Sequence, residues 1–161
     1  MAELAAALEA TGRPFVWAVK PPDGHNINGE IQPKWLPDGF EERVTATKKG
    51  LLLHGWAPQV GILAHHSTGA FLSHCGWNSV LESMTHGVPI IGWPLAGDQY
   101  YNAKMLDEEW GTVMSPTAKA AEMRQRARAI KEIMEAAREG GHGSSANQAL
   151  EEFFKTMKLN G

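Results

Sequence analysis

Residues 56–99 read WAPQVGILAHHSTGAFLSHCGWNSVLESMTHGVPIIGWPLAGDQ, and this stretch decides the fold. Short apolar runs alternate here with Gly- or Pro-containing turns and with residues that favour the start of a helix. The pattern occurs three times, because LLLHGW (51–56), GAFLSH (69–74) and PIIGW (89–93) each lead into a helical pattern. Strands alternating with helices predict a parallel sheet covered on both faces. Such sheets bind ligands at the carboxyl ends of their strands, so we expect the site there.

The flanking segments continue this alternation. The sequence predicts a helix over 2–11 ended by Gly12, a buried strand over 14–20, a short helix within 36–50, a helix from Gln99 to near Gly111, a short strand over 112–115, a long helix over 117–139 and a last helix from Ser144 to about Lys158. We therefore predict the α/β class, with a Rossmann-like parallel sheet of four or five strands and helices on both faces. The length predicts a single domain over residues 1–161.

Composition and charge restrict the class of function. The chain is 43% hydrophobic and 20% charged, as in ordinary globular domains. A net charge of −3 gives no reason to expect nucleic acid or an anionic membrane as a partner. One cysteine excludes an internal disulfide and suits a reducing compartment. No apolar run approaches the roughly 20 residues of a membrane helix, and residues 1–12 lack the basic start of a signal peptide. We expect a cytoplasmic protein.

The turn after GAFLSH has two interpretations. Asn78 and Ser79 are common N-cap residues, and Glu82 follows Ser79 at the spacing of a capping box, so this can simply be a well-capped helix. Alternatively it is an anion site, because a helix N-terminus offers free backbone N–H groups and a positive dipole end, and His74 and Asn78 can add donors. No GxxxxGK[ST] motif occurs, so nothing indicates Mg-ATP chemistry.

Residues 56–99 resemble the signature box of the plant secondary-product UDP-glycosyltransferases, the family-1 enzymes of the GT-B fold. The stretch has the 44 residues of that box, opens with WAPQ, carries HCGWNS with a Glu three residues after the Ser, continues with GVP and ends with DQ. Similarity extends to the ELAxALExxGxxFVW pattern, WLPDGFEER, NAKML and GSSxxALEEF. Nearly all of the chain thus resembles the C-terminal, donor-binding half of such an enzyme, and none of it resembles the acceptor-binding half.

The resemblance implies that the chain binds a UDP-sugar as donor, without a metal or other cofactor. In the family the terminal Gln of the box accompanies glucose, so Gln99 favours UDP-glucose. The implied contacts are Trp56 and the Ala57 backbone to uracil; Gln59 and Glu82 to ribose; His74, Asn78 and Ser79 to the diphosphate; and Trp77, Asp98 and Gln99 to the sugar. Several have simpler interpretations, since Asp98 can cap a helix and Trp56, Trp77 and His74 can be structural.

The resemblance also implies an inverting displacement in which a His of the N-terminal domain, oriented by an Asp, deprotonates a small-molecule acceptor. Neither residue has a counterpart here, so we expect donor binding without transfer by this chain alone. His65 and His66 lie in a predicted helix-to-strand turn and His86 at a helix end, so we do not expect them to act as substitutes. The acceptor is set mostly by the other domain and is not predicted.

The chain departs from the family pattern at two places. The family's first strand and Gly-Ser turn precede the helix matched by residues 2–11, and residues 111–121 are too short for the usual strand, loop and helix. Without its first strand the sheet should have unpaired backbone groups at its centre, which we expect to weaken donor binding and which self-association could satisfy. We expect a trimmed or redesigned domain, or a partial transcript.

The sequence offers weaker support for other classes of function. A nicotinamide or flavin domain needs GxGxxG after its first strand, which this sequence lacks. His65, His66, His74 and Cys75 are metal-ligand types, but they have neither CxxC nor HExxH spacing. A folded, non-catalytic scaffold that no longer binds nucleotide sugar is the main alternative.

Overall fold

The computed structural model describes residues 1–22, 24–26, 29, 31–109, 111, 120–139 and 148, which form two compact units divided in sequence after Pro58. The first unit contains α1 (Ala2–Thr11), β1 (Phe15–Val19), a 3-10 turn (Pro33–Trp35), α2 (Phe40–Ala46) and β2 (Gly50–His54). The second contains α3 (Gln59–Ala64), β3 (Phe71–Ser73), α4 (Trp77–Thr85), β4 (Ile90–Gly92), α5 (Gln99–Glu108) and α6 (Ala120–Glu139). In the described residues, no helix has the length and apolar character to cross a membrane.

The strands confirm the α/β class with parallel pairing. In the first unit β1 pairs with β2, with Phe15 opposite Gly50. In the second unit β3 pairs with β4, with Phe71 opposite Ile90. The four strands thus form two separate two-stranded sheets within the described part of the chain.

Most predicted elements of the described chain are confirmed within a few residues. The helix over 2–11 has the expected bounds, and Gly12 ends it with a φ of 60°, a left-handed conformation that favours glycine. The short strand over 112–115 lies outside the described residues, as does the helix from Ser144 apart from Gln148, which is helical. The single domain over residues 1–161 stays a prediction, since each of the two units has its own core.

The core of the first unit lies on one face of its sheet. Phe15, Trp17 and Val19 alternate along β1 and pack with α2, where Phe40 is buried. Val16, on the opposite face of β1, is 48% exposed. The prediction of a buried strand over 14–20 was wrong for Val16 and Ala18, which are exposed, because α1 and α2 both contribute to the core on the other face of β1.

The core of the second unit joins three helices and a strand. Val80 and Met84 of α4, Ile90 of β4 and Leu106 of α5 are buried together with Cys75. Side chains of α6 pack against the same cluster. The cluster fixes the starts of α4 and α5, which follow the carboxyl ends of β3 and β4.

Replacing Ser83 by alanine should cost about 1–2 kcal/mol of unfolding free energy, because its fully buried hydroxyl donates to the Val88 carbonyl at 2.8 Å and ties α4 to the turn before β4. Urea denaturation would measure the loss. Thr85→Ala is the matched control, since the Thr85 hydroxyl donates to the Leu81 carbonyl of its own helix at 2.8 Å and is not buried. Equal losses in both variants would contradict the prediction.

Candidate functional site

The helix α4 begins earlier than the capping-box interpretation required. Gly76 is its N-cap, and no side chain of the described residues caps it. Ser79 is therefore the third residue of the helix and Glu82 the sixth, so the prediction that they form a capping box was wrong. The reason is the turn at Cys75, which starts the helix directly after Gly76. Helix geometry leaves the first N–H groups of α4 without intrahelical acceptors, and the first intrahelical bond runs from Val80 to Gly76 at 3.0 Å.

Cys75 makes the turn between β3 and α4 and adopts a conformation that is uncommon for a residue with a side chain. Its φ is 65°, a left-handed value that costs on the order of 1 kcal/mol outside glycine. Its N–H donates to the Ser73 hydroxyl at 3.1 Å, and its carbonyl accepts from the Asn102 side chain at 3.0 Å. Burial raises the pKa of the Cys75 thiol above its usual 9.0. The residue thus serves as a protonated core group that fixes the turn.

A polar cluster joins the first residue of α3 to the exposed side of α4. The Gln59 amide donates to the Glu82 carboxylate at 2.7 Å and approaches the Ser79 hydroxyl at 3.4 Å. All three side chains are partly buried. The family resemblance implies the same ligand group for Gln59 and Glu82, and the structure brings these two side chains into contact. The carboxylate retains acceptor capacity for vicinal hydroxyls, because it has about four lone-pair sites.

The residues before and at the start of α4 face solvent. His74 and Asn78 are exposed, and the Trp77 ring is 41% exposed. Gly76 lies directly beside the His74 ring, since a Cβ built on Gly76 would approach His74 Nε2 to 2.5 Å. The absence of a side chain at position 76 therefore allows the imidazole to lie against the turn.

The loop after β4 presents the next two predicted residues. Asp98 occupies the N-cap position of α5, but its carboxylate makes no capping bond, so the interpretation of Asp98 as a capping side chain was wrong. It accepts from Asn102 Nδ2 at 3.0 Å instead. The Gln99 side-chain oxygen accepts from the N–H groups of Leu95 and Ala96, at 2.8 and 3.0 Å. The Gln99 NH₂ group therefore remains the part of this amide that is available as a donor.

Trp56 and Ala57 belong to the first unit. The Trp56 ring is 89% exposed, and Lys20 Nζ lies 5.9 Å from its centroid. At this distance the Lys20 ammonium makes a cation–π interaction with one face of the Trp56 ring. A large exposed ring just beyond the end of β2 is suited to stacking on a planar ligand.

The histidines do not assemble a metal site in the part of the chain that the structure describes, where no group of three or more His, Cys, Asp or Glu side chains is placed to hold an ion. His65 and His66 lie in the turn between α3 and β3, as predicted, and their ring centroids are 4.5 Å apart. His86 is the C-cap residue of α4, and its Nδ1 lies 2.7 Å from the Glu82 carbonyl oxygen.

Asn102 is the residue of this region to which sequence reasoning assigned no role. It lies four residues after Asp98 on α5, a spacing at which side-chain amides and carboxylates of a helix can meet. This spacing could have suggested the contact with Asp98. The second contact, with the Cys75 carbonyl 27 residues earlier, depends on the packing of α5 beside the turn and has no local sequence signal.

Comparison with known proteins gives one family. The family model described as UDP-glucoronosyl and UDP-glucosyl transferase matches residues 1–139. UDP-glycosyltransferase 92A1 of Arabidopsis thaliana is 42% identical in a match that covers 96% of this chain and 36% of the relative.

Solved structures are similar over nearly the whole chain, and two of them illustrate the match. The structure of TcCGT1 in complex with UDP has a TM-score of 0.85 and 35% identity, and the match covers 99% of this chain and 40% of that one. Medicago truncatula UGT71G1 complexed with UDP-glucose has a TM-score of 0.78 and 32% identity, with 96% and 36% covered. The chain therefore spans between a third and two fifths of the length of these relatives.

Proposed function

The chain belongs to the UDP-glucoronosyl and UDP-glucosyl transferase family, and we propose that it binds a UDP-sugar, most favourably UDP-glucose, as one domain forming the donor half of an inverting glycosyltransferase. The donor is a substrate, and the proposal includes no cofactor. The catalytic base and the choice of small-molecule acceptor belong, in this proposal, to the part of the relatives that this chain does not span. Transfer by the chain alone is not expected.

The contact between Gln59 and Glu82 is the observation that carries this proposal. The donated bond of 2.7 Å holds the carboxylate at the surface of α4, three residues after Ser79. A carboxylate fixed in this way suits the two vicinal hydroxyls of a ribose, because it can accept from both. The proposed diphosphate ligands are His74, Asn78, Ser79 and the free N–H groups at the start of α4, a favourable place for an anion.

We assign the binding of the sugar to Asp98 and Gln99, which follow β4. Asp98 is exposed, and Gln99 directs its oxygen into the backbone of its own loop. The carboxylate can accept from sugar hydroxyls, while the Gln99 NH₂ can donate to them. Trp77 would contact the sugar with its ring, and Trp56 and the Ala57 backbone would bind uracil. That UGT71G1 was solved with UDP-glucose supports the choice of sugar.

The proposal is tested by calorimetric titration of the folded chain with UDP and with UDP-glucose. Saturable binding of both, tighter than that of the adenine analogue ADP-glucose, is the expected result. A folded protein that responds to neither ligand would overturn the proposal in favour of the non-catalytic scaffold. Equal affinity for UDP-glucose and ADP-glucose would contradict the assignment of Trp56 and Ala57 to the base.

Replacing Gly76 by alanine should weaken UDP binding about tenfold, the effect of losing roughly one hydrogen bond to a charged group. The backbone at Gly76, with φ −62° and ψ 141°, accepts any residue, so the added Cβ displaces the His74 ring rather than the chain. Calorimetry gives the affinity, and thermal unfolding verifies the fold. Gly69→Ala is the matched control, because no atom lies within 4 Å of a Cβ at that position. Unchanged UDP affinity in Gly76→Ala would remove His74 from the proposed diphosphate ligands.

A further inference from the structure

Asn102 connects the two loops that carry the candidate ligand groups of the second unit. Its Nδ2 lies 3.0 Å from the Cys75 carbonyl oxygen and 3.0 Å from Asp98 Oδ2. An asparagine amide nitrogen has two hydrogens, so it can make both bonds at once. One bond goes to the turn after β3 and the other to the loop after β4.

Asn102 donates to the carbonyl of Cys75, a residue whose backbone conformation is energetically unfavourable. Cys75 is fully buried and has a φ of 65°. Such a conformation persists when the surroundings determine it, and here Ser73 accepts from the N–H of Cys75 while Asn102 donates to its carbonyl. The peptide that leads into Gly76 and α4 is therefore held from both sides.

The bond from Asn102 to Asp98 restricts the motion of a side chain instead of the backbone. Asp98 is exposed, and an exposed side chain ordinarily samples several rotamers. Asn102 stands one turn further along α5 and holds one carboxylate oxygen at 3.0 Å. The carboxylate is thereby kept in one orientation, with acceptor sites left for a ligand.

From this geometry we propose that Asn102 is a positioning residue of the donor site: it holds the turn at Cys75 and the Asp98 carboxylate in a fixed relation. The first N–H groups of α4 and the Asp98 carboxylate can then bind one ligand together. Asn102 itself does not touch the ligand. This inference rests on the proposed function, because it assigns Asn102 to the binding of the same UDP-sugar.

The test compares affinities for UDP and UDP-glucose in the wild type, Asn102→Ala, Asn102→Asp, Asp98→Ala and the double variant of Asp98→Ala with Asn102→Ala. We expect both changes at position 102 to weaken UDP-glucose binding about tenfold and UDP binding less. Asn102→Asp keeps the size of the side chain but removes its donors, so rescue by Asp would show a packing role and overturn the proposal.

The double variant measures whether Asn102 acts through Asp98. In the Asp98→Ala background, removal of Asn102 should cause no further loss in the preference for UDP-glucose over UDP, because the group it positions is gone. Losses that simply add would overturn the proposal. Lys104→Ala is the control on the same helix, since its ammonium is exposed and lies 3.8 Å from Glu108, and its affinities should equal those of the wild type.

A measurement without ligand separates this inference from the proposed function. In two-dimensional amide NMR spectra, Asn102→Ala should shift the resonances of Gly76, Trp77 and Asp98, whereas Lys104→Ala should not. If the wild type binds neither UDP nor UDP-glucose, the proposed function fails, and these shifts alone decide whether Asn102 positions the two loops. Shifts confined to the immediate neighbours of residue 102 would overturn the positioning role in either case.

Discussion

Replacing Phe40 by alanine should lower the free energy of unfolding by about 3–5 kcal/mol, the usual cost of removing a buried aromatic ring. Phe40 is 1% exposed and is the first residue of α2. Its ring stacks on Phe15 at a centroid distance of 6.3 Å and meets Trp17 edge-on at 6.2 Å. The substitution would therefore leave a cavity between α2 and β1, the centre of the first unit's core.

Chemical denaturation monitored by tryptophan fluorescence measures this loss, because Trp17 lies against the ring that is removed. Phe40→Leu retains most of the apolar volume and should cost less than about 1.5 kcal/mol, so it gives a graded result if the alanine variant does not fold. Val16→Ala is the control on the same sheet, since Val16 is 48% exposed. A Phe40→Ala variant no less stable than Val16→Ala would contradict the assignment of this core.

Local sequence signals predicted the elements well where one physical cause dominates. The helix over 2–11 follows from strong helix formers and a terminal glycine, and its end at Gly12 depends on a backbone conformation that glycine adopts readily. The strands at 15–19 and 50–54 follow from apolar runs. The first residue of α4 was harder to predict from the sequence, because Cys75 adopts a left-handed turn that its residue type does not favour.

The candidate ligand residues could be predicted from the family resemblance, whereas their supporting contacts required the structure. The resemblance of residues 56–99 to the family box named the candidate ligand residues, and the structure places two of them, Gln59 and Glu82, in direct contact. Asn102 was missed because its partner at Cys75 is distant in sequence. The sequence also did not show that only one face of β1 is buried, since an apolar run does not indicate how many of its faces the rest of the chain covers.

Cys75 and His74 are adjacent in sequence but lie in different environments. Cys75 is fully buried, and this burial raises the pKa of its thiol. Its Sγ lies 3.7 Å from the Ser73 carbonyl oxygen inside the core of the second unit. His74, by contrast, is exposed, so the two side chains do not face the same surroundings.

Replacing Glu82 by alanine should weaken the binding of both UDP and UDP-glucose by roughly 100-fold, if the carboxylate accepts from two ribose hydroxyls at about 1.5 kcal/mol each. Both ligands are affected alike because they share the ribose. Stability should change by less than about 1 kcal/mol, since the pair with Gln59 is only partly buried. Calorimetry measures the affinities, with Asp107→Ala as the control for loss of an exposed acidic side chain in the same unit.

The role of Glu82 can be separated from a general effect of charge by changing the ligand instead of the protein. The wild type should prefer UDP to 2′-deoxy-UDP, because the deoxy analogue offers the carboxylate one hydroxyl fewer. In Glu82→Ala this preference should disappear, and in Glu82→Gln it should be reduced, since an amide oxygen still accepts but carries no charge. If Glu82→Ala lost UDP-glucose affinity but kept that for UDP, the carboxylate would bind the sugar instead of the ribose. The contact of Glu82 with Gln59 would then hold the amide at the sugar as well, because the two side chains are joined at 2.7 Å.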